Sequence, residues 1–96
     1  MNLNQRISLF AKLGSLFKDY EDNNLDGKTK KLFNEAIENS IAHNSFFTKK
    51  NINKSLSSWA KNLTKKSINN FISNYSFKDN IIPKKVAIIM AGNIPL

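Results

Sequence analysis

The 96 residues contain no cysteine and only one histidine, one tryptophan and one arginine. Without thiols the chain has no disulfide framework, no thiolate metal site and no cysteine nucleophile of its own. A lone histidine, His43, cannot build a histidine-rich metal cluster. With 3 glycines, no glycine-rich phosphate loop of either common spacing occurs. Acidic residues number 7, and no pair of them stands at a spacing suggestive of acid–base work. No uninterrupted apolar run reaches the ~18 residues that mark a membrane-spanning helix. The opening "MNLNQRISLFAKLG" lacks the charged region and long apolar stretch of a secretory signal, and one arginine and one lysine make a poor transit peptide. The expected location is the cytoplasm.

What is abundant is lysine. Fourteen lysines and one arginine against seven acidic residues give a formal net charge of +8. A basic chain raises the question of nucleic acid or an anionic surface. The lysines fall in pairs (Lys30-Lys31, Lys49-Lys50, Lys65-Lys66, Lys84-Lys85) along the whole chain rather than in one block. Arginine, the residue suited to bidentate phosphate and base contacts, is nearly missing. Fifteen asparagines and eleven isoleucines accompany the lysines, a bias expected of an AT-rich coding sequence. Dispersed, solvated lysine is the simpler reading, and no specific nucleic-acid partner is expected. The apolar fraction of 41% is too high for disorder, and the length allows one small domain with a marginal core.

Apolar periodicity predicts four helices, over roughly 2–22, 29–44, 49–62 and 65–75. In the first, Leu3, Ile7, Phe10, Gly14 and Phe17 share a stripe widened by Leu9, Leu13, Leu16 and Tyr20. Gly14 within that stripe costs about 1 kcal/mol relative to alanine. Close approach of another element at that point would account for it. "EDNNLDGKT" is a polar loop. The second helix places Phe33, Ala36, Ile37, Ser40 and Ile41 on one face and ends near His43 and Asn44. Thr48 is the expected N-cap of the third, with Phe47 and Ile52 as a hydrophobic staple, and Thr64 repeats the arrangement with Leu63 and Ile68. Packing is expected through Ile7, Phe10, Phe33, Ile37, Ile52, Leu56, Trp59 and Phe71. Trp59 and Phe46-Phe47 read as packing residues rather than ligand platforms. His43 reads as a helix-end histidine favoured by the dipole. The three Asn-x-Ser/Thr triplets beginning at Asn53, Asn62 and Asn74 read as chance products of an asparagine-rich chain.

The sequence closes on "KKVAIIMAGNIPL". Pro83 stops helix propagation and biases Ile82 towards extended backbone. Val86 to Met90 is a short, β-branched, all-apolar run, the pattern of a strand buried on both faces, expected at about 85–90. Two readings of the following Ala-Gly-Asn stay open. One is ordinary turn chemistry. The other is a site, because ligands of open α/β sheets sit at the carboxyl ends of strands, where the amide of Asn93 would donate to an oxygen gaining charge.

These residues, with "MNLNQRISLFAKLG", "AHNSFFTKKNI", "WAKNLT" and "FISNY" upstream, resemble the bacterial acyl-CoA reductases of the luminescence fatty-acid-reductase type, in the form found in Bacteroidetes. The likeness runs over nearly all of the chain. Such proteins are similar to aldehyde dehydrogenases, and reduce a fatty acyl thioester to an aldehyde with NADPH through an acyl-enzyme on a cysteine. The resemblance implies a mainly α chain of about four helices with one C-terminal β-strand, the N-terminal piece of an α/β aldehyde-dehydrogenase-like fold. Residues 1–80 would be the N-terminal helical region and 81–96 the first strand and turn of a truncated cofactor-binding domain. Aldehyde dehydrogenases carry Pro-Trp-Asn-x-Pro at the corresponding turn, and Ala91-Gly92-Asn93-Ile94-Pro95 keeps the asparagine and proline without the tryptophan. By resemblance, Asn93 is the catalytic oxyanion donor, and Met90, Ala91 and Gly92 lie on the cofactor side. No metal is implied.

Three functions follow as alternatives: a fragment of an NADPH-dependent acyl-CoA reductase, inactive alone and binding no cofactor by itself; a small basic helical module for nucleic acid or an anionic surface; and a subunit that restores activity by joining a separately encoded remainder, with acyl-CoA as the substrate of the whole.

Overall fold

Each helix begins where a short polar side chain can take up a free N–H of the first turn. In the computed structural model, which describes residues 1–77 and 82–92, these starts open α1 (Leu3–Glu21), α2 (Gly27–His43), α3 (Lys49–Asn62) and α4 (Lys65–Ile72). Asn2 caps α1 in a reciprocal box with Gln5: each side-chain oxygen accepts the other's backbone N–H at 2.9 Å. Thr48 and Thr64 accept from Asn51 and Ser67 at 3.2 and 3.1 Å, as their positions in the sequence predict.

Two boundaries differ from expectation by more than one residue. α2 starts two residues early because Asp26 is its cap: the carboxylate accepts the Thr29 N–H at 3.0 Å and the Thr29 hydroxyl at 2.6 Å, which frees Gly27 to be the first helical residue. α4 stops at Ile72 rather than continuing to 75. Ser73 turns its hydroxyl onto the Asn70 carbonyl at 2.8 Å, a local bond that competes with helix continuation. The end of α1 is a Schellman motif. Asn23 takes positive φ (59°), and the N–H groups of Asn23 and Asn24 reach the Tyr20 and Asp19 carbonyls at 3.2 and 2.8 Å.

α1 and α3 form the principal contact, α4 packs on α1, and α2 rests on α3. α1 and α3 run in opposite directions, since Gly14 lies against Leu63 while Glu21, further along α1, meets Ser57, earlier on α3. Gly14 bears out the expected close approach. A Cβ there would sit 2.7 Å from the Cβ of Leu63 and 2.9 Å from its carbonyl carbon. α2 is joined to α1 through rings: Tyr20 stacks on Phe33 at 5.0 Å and Phe17 meets Phe33 edge-on at 6.3 Å.

The apolar residues buried among those described are Ile7, Ile37, Ile52 and Ala60. Ile7, Ile37 and Ile52 were expected, and Phe33 and Leu56 are half-buried. Phe10, Trp59 and Phe71 are corrections. They lie on the faces their spacing predicts, yet remain 54%, 40% and 66% exposed. Helical spacing identifies an apolar face but not whether another element covers it. The expected strand is not formed in this structure: residues 82–92 carry no regular secondary structure, and no strand occurs among the described residues. A strand is made by its neighbour's hydrogen bonds, and no second strand among the described residues supplies them.

Candidate functional site

The carboxyl-terminal segment holds the residues singled out by sequence. Asn93 lies outside the described residues, so the oxyanion reading gains no geometry. Met90 is half exposed, and Ala91 and Gly92 are exposed. A Cβ built on Gly92 meets nothing within 4 Å, and no glycine adopts positive φ among the described residues. Nothing at these three positions therefore requires glycine or forms a cradle.

What does hold this segment was not legible in the sequence. Asn44, the C-cap of α2, donates from Nδ2 to the Gly92 carbonyl at 2.5 Å and accepts the Phe46 N–H on Oδ1 at 3.1 Å. One amide thus closes the turn into α3 and ties down residue 92. The neighbouring apolar side chains gain no cover from it: Val86, Ile88 and Ile89 are 79%, 77% and 101% exposed. His43 ends α2 as expected, with its Nδ1 2.8 Å from the Asn39 carbonyl, to which it donates.

The second candidate is a trough of about 610 Å³ between α1 and α4. One wall is the α1 stripe of Leu3, Ile7 and Phe10. The other is Ile68, Phe71 and Ile72 of α4. Trp59 and Leu63 form the floor at the end of α3, and Phe77 also lines the trough. Beyond α4 the rings run on, Phe71 to Tyr75 at 5.6 Å and Tyr75 to Phe77 at 6.4 Å. Arg6 is the one charged residue in the lining. A second groove of about 730 Å³ lies across the Gly14–Leu63 contact and is mixed in character, with Lys12, Lys18, Lys65 and Asp19 beside Ala11, Ala60 and Leu63.

Charge is segregated in a way that the paired lysines conceal. Every described carboxylate falls between Asp19 and Glu38. There Lys18 bridges Glu21 at 3.3 Å and Asp22 at 3.1 Å, and Lys31 approaches Glu35 at 3.8 Å. The Ser57 hydroxyl, with Lys18, holds the Glu21 carboxyl below its ordinary pKa, and the Thr29 donors do the same for Asp26. Residues 1–18 and 39–77 contain no aspartate or glutamate at all. Among the described residues no group of histidine, aspartate and glutamate side chains is placed to hold a metal, and no helix is long and apolar enough to cross a membrane. Comparison with protein families, curated proteins and solved structures found no match.

Proposed function

We propose that this chain is the N-terminal helical region of an NADPH-dependent acyl-CoA reductase of aldehyde-dehydrogenase type, catalytically silent until a cofactor domain and a cysteine-bearing segment join it. The observation that carries the reading is the Val86–Met90 run. It is apolar and β-branched, it is exposed, and it has no pairing partner among the described residues. Such a run in water is a liability, and within a parallel sheet covered by helices it is a core strand. In that setting Asn93 follows the strand's carboxyl end, where its amide would donate to the thioester oxygen as charge develops on attack. Removing one such donor typically costs about 10²–10³ in kcat. The test is to express the chain alone, joined to its downstream reading frame, and in the joined form with Asn93→Ala. The proposal requires acyl-CoA-dependent NADPH oxidation from the joined form only, with kcat reduced more than KM is altered in the variant. A joined form with no such activity refutes it, and wild-type turnover in the variant reduces Asn93 to a turn residue.

A second reading, a small basic helical binding module for nucleic acid or an anionic surface, is favoured by the carboxylate-free stretches 1–18 and 39–77. It requires binding that is selective and survives physiological salt. Weak binding that salt abolishes is what dispersed lysine gives with any polyanion.

A further inference from the structure

We propose that the trough between α1 and α4 is a docking site for an amphipathic helix of a partner polypeptide, with an apolar stripe flanked by carboxylates. The inference rests on neither Asn93 nor the C-terminal segment, and stands apart from the reductase reading.

Shape argues for a helix. The two walls present apolar side chains at helical spacing, Ile7 and Phe10 opposite Ile68 and Phe71, over a floor that includes Trp59. Facing ridges of this kind receive a third helix by ridge-into-groove packing, and an apolar stripe laid in an apolar groove is a recurrent mode of peptide recognition. A bilayer is met by protruding apolar side chains, whereas this surface is concave. Its aromatic walls are available: Phe10, Phe71 and Phe77 are 54%, 66% and 48% exposed.

Charge says what flanks the stripe. Arg6 is the charged residue within the trough, and the stretches that build it, residues 1–18 and 39–77, carry one arginine and eight lysines against no carboxylate. A partner bearing aspartate or glutamate beside its apolar stripe meets the opposite charge at Arg6, with no carboxylate in the lining to oppose it, and one bearing lysine is repelled there.

Trp59, the sole tryptophan, lies in the trough and reports its occupation by fluorescence. The full chain is titrated with a peptide of about five helical turns carrying leucine at every third or fourth position and glutamate beside the stripe. Parallel titrations use the same peptide with lysine for glutamate, and vesicles of phosphatidylcholine and phosphatidylserine. The glutamate peptide should blue-shift Trp59 saturably, and the lysine peptide should bind at least ~10-fold more weakly. Phe71→Asp should weaken the glutamate peptide by ~10-fold or more. Phe46→Asp, equally exposed at 66% but outside the trough, should leave its affinity unchanged, with circular dichroism confirming that both variants keep their helices. Equal binding of the two peptides, no saturable shift, or undiminished affinity in Phe71→Asp overturns the proposal. A shift with vesicles and with neither peptide assigns the surface to a membrane instead.

Discussion

Replacing Gly14 with alanine improves the helix and should nevertheless weaken the protein. In α1 taken alone, alanine for an interior glycine gains about 1 kcal/mol. In the folded chain the added Cβ would lie 2.7 Å from the Leu63 Cβ and 2.9 Å from its carbonyl carbon, with the carbonyl oxygen nearer still. Carbon atoms in contact rest at about 3.5–4.0 Å, so the helices must part by roughly 1 Å. No flexible side-chain end can yield, because the obstacles are the backbone and Cβ of the residue that ends α3 and precedes the Thr64 cap of α4. Separation there loosens the principal helix contact, between the elements that carry Ile7 and Ala60, two of the four buried apolar residues among those described. Overpacking of this kind costs about 1–3 kcal/mol, or more where backbone must move. The net expectation is a loss of about 1–2 kcal/mol, and each kcal/mol lowers the melting temperature of a domain this size by about 4–8 °C. Gly27→Ala is the matched control, since a Cβ there meets nothing within 4 Å and the residue sits in the first turn of α2. It should stabilise by about 0.4–1 kcal/mol. Thermal unfolding followed by far-ultraviolet circular dichroism separates the two, and equal stabilisation by both substitutions would refute the close approach of α1 to Leu63.

Asn23→Gly should stabilise by up to about 1 kcal/mol and Asn23→Val should destabilise, because the Schellman turn holds this residue at φ 59°; denaturant titration checks both. Asp26 and Glu21 have folded pKa values below their unfolded ones, so their contribution is complete above the unfolded carboxylate range and is lost as pH falls through the folded values. Melting temperature should therefore drop on acidification, and Asp26→Asn with Glu21→Gln should flatten that limb of the profile. Deleting residues 84–96 should raise solubility with helical content retained, and unfolding of the helices would show the segment to be integral. Asn44→Ala should release Gly92 and lower the backbone NMR order parameters of residues 90–92 without altering α1.

The helices were legible because their signals are local. Thr48 and Thr64 could be identified as caps, and Gly14 as a contact point, from residues within a turn or two of each. Asp26 is not legible as a cap because "DGKT" reads equally well as loop, and only the Thr29 bonds show that it starts a helix. Phe10, Trp59 and Phe71 were assigned to the correct faces and the wrong environment, since exposure depends on elements far away in sequence. Asn44 was out of reach for the same reason, its partner Gly92 being 48 positions on. The acid-free stretches are legible in the sequence once the carboxylates rather than the lysines are followed. Which charge is missing decides the field more than how the abundant one is spaced.

The trough and the end of the C-terminal segment belong to opposite ends of α3. Gly92 is tied to Asn44, ahead of Lys49, whereas Trp59 and Leu63 in the trough stand at the other end. The 14 residues of α3 at 1.5 Å each separate them by about 20 Å. A radius of gyration of 15.8 Å, against about 13 Å for a compact domain of this length, fits a chain with apolar surface open at more than one place. A helix seated in the trough leaves residues 90–92 uncovered, and a sheet that recruits residues 86–90 does not by itself fill the trough. The two surfaces should therefore act independently: Phe71→Asp should not change the solubility gained by removing residues 84–96, and that deletion should not change the affinity of the glutamate peptide for the trough. Effects at sites this far apart with no shared partner normally add within about 0.5 kcal/mol. A larger departure from additivity would mean that the segment itself folds into the trough in solution.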